Sequence, residues 1–328
     1  MRFGKVNQWM LLGGGEILME FASRLLKEGF KVVVVTSERH AEELGSGLLK
    51  NAPFEVIVSR DVNSDRRVFN RITKQTLGLS LGAAWVFKQK LIRRFGGKLV
   101  NLHPSRLPQG RGGGPWSWKA LRNERKGCIT LHRIDSGIDT GAVIRHKEFS
   151  YPSLCRLPAD YMNYTIDQYG ILLGQFANEV KAEREFRAKN QPGDRGAYWP
   201  RFATDIHGYI NWGWNRKEIE RFIRAFDDPY KGAITFVNGA KVRVKKCFTT
   251  DADGTFHPFQ RGLVYRTSER KLFIAANQGS LVVSSVTSDK GDDVMKKIKA
   301  GDRFYTPMKY LEKALQYRAI YTSKGLKK

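Results

Sequence analysis

Met10-Leu11-Leu12-Gly13-Gly14-Gly15, then residues 16–28, then Lys31-Val32-Val33-Val34-Val35-Thr36 make up the stretch that decides the fold class. The first three residues are a short apolar strand running into a triple glycine. Across 16–28, Ile17, Leu18, Phe21, Leu25 and Leu26 fall at helical spacing, and Gly29 ends the helix. The valine run that follows reads as a strand buried on both faces. A strand–helix–strand opening predicts a parallel, doubly wound α/β sheet. The glycines are not a dinucleotide fingerprint, because Ile17 and Leu18 stand where the third glycine of Gly-x-Gly-x-x-Gly belongs. They predict a tight strand-to-helix turn suited to a place near a substrate phosphate.

Outward from this unit the alternation continues. Strands are expected at 77–82, 98–102, 128–134 and 142–149, with helices at 116–123 and 162–185. Residues 191–201 (QPGDRGAYWPR) are rich in turn formers and read as the start of an interdomain linker. Beyond it come a helix at 216–225 and strands at 234–237, 241–248, 262–265, 272–275 and 281–285. Asn238-Gly239 sets a hairpin between the first two of these strands. The chain therefore divides into an α/β domain (1–204), a small β-rich domain (205–310) and a basic tail (311–328).

Composition narrows the class. The chain has 328 residues, enough for two cores, and 41% of them are hydrophobic. No run approaches the roughly 20 apolar residues of a membrane span, so no membrane insertion is expected. The apolar run at 9–12 is too short for a signal peptide and is cut by glycine. Cys128, Cys155 and Cys247 are odd in number and far apart, and the histidines lack metal-ligand spacing. The expectation is a reduced, cytoplasmic, metal-free protein. The net charge of +25 is the anomaly. It divides as +14 over residues 1–204 and +11 over 205–328, so neither part is a dedicated basic arm. A basic surface that attracts phosphorylated small molecules explains it, with a polynucleotide partner as the alternative.

The chemistry lies in two short segments. Asn101 and His103 are two apart at a strand end, so they share one side. Asp139 sits in Asp135-Ser136-Gly137-Ile138-Asp139-Thr140-Gly141, a glycine-bracketed loop able to fold back toward the imidazole. This trio suits acyl transfer to an amine. The carboxamide donates to a developing oxyanion, the imidazole stabilises it or moves a proton, and the carboxylate fixes the imidazole's tautomer and raises its basicity. No Ser or Cys nucleophile is needed, because the amine attacks directly.

The segments 101–115 (NLHPSRLPQGRGGGP) and 127–141 (GCITLHRIDSGIDTG) resemble the signature of formyltransferases that use 10-formyltetrahydrofolate. The resemblance is strong over 98–145, moderate over 209–244 and weak elsewhere. It implies a Rossmann-like catalytic domain followed by a small, open, OB-like barrel. It also implies that Asn101, His103 and Asp139 are the catalytic positions and that 10-formyltetrahydrofolate is the donor. The donor would be held at Ala83, Ala84, Trp85, Phe87 and Asp135. For Trp85 and Phe87, stacking on the ligand and packing in the core are both open. Asp135 more readily serves its own loop's hydrogen bonds than the chemistry.

Within the family the C-terminal domain argues against the short purine-pathway enzyme. The tetrahydrofolate-releasing hydrolase, with its N-terminal regulatory domain, also fits poorly. The loop Arg111-Gly112-Gly113-Gly114-Pro115-Trp116 resembles the enzymes that formylate an amino sugar on a nucleotide, for surface polysaccharide or lipopolysaccharide precursors. Three glycines leave a wall of bare backbone for a pyranose, which makes Arg111, Gly112, Gly113 and Trp116 the expected substrate contacts. Residues 37–46 (SERHAEELGS) carry little positive charge where transfer-RNA-formylating relatives place a basic loop. The alternatives are methionyl-tRNA formyltransferase and a non-enzymatic, basic nucleic-acid-binding protein. The aromatic C-terminal domain is a candidate surface for a homodimer.

Overall fold

The computed structural model describes residues 1–322 together with 325 and 326, and side chains as far as residue 320. Part of the basic cluster expected at 324–328 lies outside these described residues.

The opening unit forms as expected: β1 (Gln8–Gly13), α1 (Glu16–Lys27) and β2 (Lys31–Thr36). The chain continues through α2 (Glu38–Leu44), α3 (Ser46–Lys50), β3 (Glu55–Val58), α4 (Arg66–Arg71), β4 (Thr76–Leu81), α5 (Gln89–Arg94) and β5 (Leu99–His103). Next come β6 (Arg111–Gly112), α6 (Pro115–Arg122), β7 (Lys126–Arg133), β8 (Val143–Ser150) and α7 (Pro158–Lys181). Seven strands form one sheet in the order β3-β2-β1-β4-β5-β7-β8. It is parallel as far as β5, and β7 and β8 are added antiparallel. The order reverses between β1 and β4, so the crevice beyond their carboxyl ends is where a ligand of such a sheet sits.

Helices cover both faces. On one side Leu18, Leu25, Leu172 and Phe176 from α1 and α7 pack on Trp9, Leu11 and Leu79. On the other, Val68, Leu91 and Trp85 pack on Met10, Leu12 and Val33. This alternation along β1 is the period-two geometry of a strand buried on both sides. Helix α7 begins four residues earlier than expected, because the Asp160 carboxylate accepts hydrogen bonds from the Arg156 and Leu157 amides at its start. Most of the polar stretch 37–46 is helix α2. Ser37 accepts from the His40 amide and caps α2.

The supposed linker is not free. Within 191–201, β9 (Tyr198–Trp199) pairs in parallel with β6, so this segment is strapped onto the catalytic domain's own loop. Next come α8 (Thr204–His207), α9 (Arg216–Ala225), β10 (Ala233–Val237), β11 (Ala240–Thr250), β12 (Val264–Ser268), β13 (Lys271–Ala276), β14 (Gly279–Ser288), β15 (Phe304–Tyr305) and α10 (Met308–Gln316). The strands form a curled, antiparallel sheet ordered β12-β13-β14-β11-β10-β15. The hairpin turns at Asn238-Gly239 as read from sequence. A boundary at 310/311 would cut through α10.

The second core is shared. Ala120 of α6 and Tyr161 of α7 join Ile219, Phe222 and Ile223 of α9 and the inner face of the C-terminal sheet. The Ser117 hydroxyl donates to the Ala225 carbonyl at 2.7 Å across this junction. Helix α6 directly follows the triple-glycine loop, so the C-terminal sheet buttresses one wall of the crevice.

Candidate active site

Strand β5 delivers Asn101 and His103 to the crevice. Its antiparallel partner β7 sets His132 opposite Asn101 and Thr130 opposite His103. His132 was not singled out from the sequence. Its alternation with Thr130 hints at a shared face, but only the β5–β7 register shows which residue it meets.

The hydrogen bonds define the tautomers. His132 Nδ1 lies 2.8 Å from the Arg133 carbonyl, which can only accept, so Nδ1 carries the proton. Its Nε2 then accepts from Asn101 Nδ2 at 3.0 Å. His103 is 5% exposed, and its Nε2 donates to the Gly110 carbonyl at 2.6 Å. That leaves the Nδ1 lone pair facing Asp139 Oδ1 at 3.6 Å. The same oxygen stands 3.6 Å from His132 Nε2, while Asp139 Oδ2 accepts from the Gly112 amide at 2.9 Å. In this geometry the Gly110 carbonyl fixes the His103 tautomer, whereas the sequence reading gave that task to the aspartate. Asp139 instead stands where it favours a second proton arriving on Nδ1.

Charges follow from the surroundings. Burial pulls the His103 pKa below its ordinary 6.5, and Asp139 opposes that shift without reversing it. Burial raises the Asp139 pKa, but the His103 and His132 rings, once protonated, and the Gly112 amide together outweigh it and hold the carboxyl below the usual carboxylate range. At neutral pH the pair is a neutral imidazole beside a carboxylate. That is a proton acceptor with its counter-charge already placed.

The other expected contacts divide. Ala83 and Ala84 are half-buried just after β4, beside the crevice, and Phe87 is half-buried against the core below. Trp85 is withdrawn into that core, with its indole N–H donating to the Arg60 carbonyl at 3.3 Å. Of the two roles left open for it, packing is the one it performs. Asp135 is exposed and accepts from the Gly137 amide at 3.1 Å and the Thr140 hydroxyl at 2.5 Å, which shapes its own loop. Arg111 turns to Gln191, donating to its Oε1 from Nε at 3.1 Å and Nη2 at 2.8 Å. Gly112 has φ 105° and would bring any Cβ into the Trp199 carbonyl, so glycine is required there. Gly113 is half-buried in the same loop, and Trp116 is half-buried against the second core. Trp118 donates to the Pro200 carbonyl at 2.9 Å and packs beneath the loop. At the end of β1, the positive φ of Gly13 and the His40 ring against Gly14 hold a bare turn into α1, whose N-terminus has no side-chain cap. Among the described residues no cluster of His, Cys, Asp or Glu is arranged to hold a metal ion, and no helix is long and apolar enough to cross a membrane.

Residues 9–151 match the family model for formyl transferase, and residues 204–299 match that for the formyl transferase C-terminal domain. The chain belongs to the formyl transferase family. Its two matched segments contain the trio and the buttressing sheet respectively. The chain is 26% identical over 193 residues to a methionyl-tRNA formyltransferase of Acetivibrio thermocellus, covering 58% of this chain and 59% of that one. A second, from Dechloromonas aromatica, is 24% identical over 65% of this chain and 67% of the relative. The chain thus spans about three fifths of the length of the first of these relatives. In fold it resembles the N-formyltransferase of Helicobacter canadensis solved with folinic acid and dTDP-3-aminofucose, with TM-score 0.65, 20% identity, and 86% and 100% of the two chains covered. It also resembles the sugar 3N-formyl transferase WlaRD, solved with dTDP and 5-N-formyl-THF, with TM-score 0.63, 20% identity, and 86% and 98% covered.

Proposed function

We propose that this formyl transferase moves the formyl group of 10-formyltetrahydrofolate onto the amine of a nucleotide-linked amino sugar. The observation that carries the chemistry is the His103 Nδ1 lone pair, buried, neutral and 3.6 Å from the ionised Asp139. The donor's formyl carbon lies over the end of β5, beside Ala83 and Ala84. The uncharged amine attacks that carbon, forming the new C–N bond. The Asn101 carboxamide, oriented by His132, donates its second N–H to the oxyanion, an interaction worth roughly 3 kcal/mol of barrier for each such donor. His103 Nδ1 takes one amine proton, and Asp139 balances the imidazolium. The bond from the formyl carbon to N10 then breaks, its electron pair stays on N10, and the proton is delivered there.

Three observations support a sugar acceptor. The glycines at 112–114 offer backbone in place of side chains, which suits a pyranose face. The uncapped N-terminus of α1 presents free N–H groups to the phosphates of a nucleotide. Helix α2 carries Glu38, Glu42 and Glu43 against Arg39 alone among arginines and lysines, an unfavourable face for an RNA stem. On this reading the protein acts in the cytoplasm on a precursor of a surface polysaccharide, without a metal. A second reading, formylation of methionyl-tRNA, is favoured by the net charge of +25 and by the curated relatives. Incubation of the purified protein and 10-formyltetrahydrofolate with a panel of amino-sugar nucleotides, and separately with methionyl-tRNA, discriminates between them. Mass spectrometry is expected to find an added formyl group on a sugar and none on the tRNA. The reverse result transfers the assignment to tRNA.

A further inference from the structure

Gln191 lies outside both signature segments, in the stretch that reads as linker, yet all the hydrogen-bonding groups of its carboxamide are engaged at the site. Nε2 donates to the Asp139 and Gly141 carbonyls, both at 2.8 Å. Oε1 receives Arg111 Nε and Nη2. The strap that carries it is tied at both ends. Lys189 and Val143 exchange backbone hydrogen bonds at 2.8 Å, the Arg111 amide donates to the Ala197 carbonyl at 3.1 Å, and Trp199 Nε1 donates to the Gln109 carbonyl at 2.9 Å. Gly196 lets the Arg111 guanidinium pass, since a Cβ there would stand 2.8 Å from its Cζ.

The backbone that Gln191 holds is strained. Asp139 has φ 56°, the left-handed region that a non-glycine residue occupies only when its surroundings enforce it. Two carbonyls of a glycine-flanked loop converge on one amide nitrogen, which closes the loop in a form that turns the Asp139 carboxylate toward His103 and His132. We infer that Gln191 is a positioning residue: it locks the left-handed Asp139 and, through Arg111, binds the aspartate loop to the glycine loop whose Gly112 amide holds the same carboxylate. A glutamate could not replace it. Its oxygens would face two carbonyls with nothing to donate, although the contact to Arg111 would improve.

The kinetic consequence rests on the proposed formyl transfer; the geometric one does not. Gln191→Leu and Gln191→Glu are expected to lower kcat about ten-fold or more, in keeping with the cost of small misplacements at a reacting centre. KM for donor and acceptor should change by less than about three-fold, because every hydrogen-bonding group of the Gln191 carboxamide is already engaged by protein. The second readout is the titration of the His103 ring by NMR. The charged and titratable groups facing His103 are Asp139, His132 and Lys119, and only Asp139 is held by Gln191. Freeing Asp139 should therefore shift the His103 titration to lower pH in Gln191→Leu, which adds no charge of its own. A stability role alone would lower the melting temperature and leave that titration and the kcat of the folded fraction unchanged, which would overturn the inference. If Gln191→Leu does not fold, the uncharged Gln191→Met supplies the same two readouts. If the parent transfers formyl to no acceptor, the proposed reaction fails, and the His103 titration alone decides the role of Gln191.

Discussion

Asn101 Nδ2 donates to His132 Nε2 at 3.0 Å across the β5–β7 pair, and the Arg133 carbonyl holds His132 in the tautomer that can accept it. The orientation of the Asn101 carboxamide is thus set by a residue 31 positions later. His132→Phe keeps a ring of similar size and removes the acceptor. Turnover should fall about ten-fold while the fold persists, since one misaligned oxyanion donor costs up to roughly 3 kcal/mol. Steady-state kinetics beside a thermal melt check this, and unchanged kcat in a folded variant would count against the orienting role.

Asn101→Ala, His103→Ala and Asp139→Ala should each reduce formyl transfer by about 100-fold or more, as expected of pre-placed acid–base and electrostatic groups. Near-normal turnover in His103→Ala would remove the assignment, because His132 has its Nδ1 proton committed to Arg133 and its Nε2 to Asn101.

Stability should fall on mild acidification. The buried His103 and His40 have pKa values held below 6.5, mainly by desolvation, so between their folded values and 6.5 the unfolded chain binds more protons than the native one. Their contribution is fully present above pH 6.5 and is lost as the pH falls through the folded values. Asp139, also depressed, adds a further loss below its ordinary 3.8. Melting temperatures recorded between pH 8 and pH 5, about the window in which histidines titrate, should drop toward acid. The drop should be shallower in His103→Gln, and a parallel slope in the two proteins would contradict the burial argument.

Glycine replacements should split by site. Gly112→Ala meets the Trp199 carbonyl at a left-handed φ and should cost about 1–3 kcal/mol along with activity. Gly170, within α7 and with open space around its Cβ position, should gain up to about 1 kcal/mol as alanine. Chemical denaturation of the two variants measures both signs.

The charge of +25 should act non-specifically. Binding to tRNA is expected to be independent of sequence and to weaken steeply between about 50 and 200 mM salt, with a log–log slope near −0.9 per duplex phosphate neutralised. The KM for a nucleotide sugar, which presents only a pair of phosphates, should respond far less. Salt-resistant discrimination between initiator and elongator tRNA would favour the tRNA reading instead.

The sequence by itself determined the βαβ opening, the Asn238-Gly239 hairpin and the positions of Asn101, His103 and Asp139. Each depends on local periodicity, turn chemistry or a short motif, and all of that information lies within a few residues. What only the tertiary structure decided depends on register and on chain segments that meet from afar. The β5–β7 register placed His132 against Asn101. The approach of the Gly110 carbonyl, seven residues away, chose the His103 tautomer, and core packing claimed Trp85. The stretch read as linker became a strap because its backbone pairs with Arg111 and Gly112, and no periodicity marks a two-residue parallel pairing across 87 positions. Hydrogen bonds between distant segments need partners brought together by the whole fold, so the sequence names the candidate groups and the fold sets their protons and their aim.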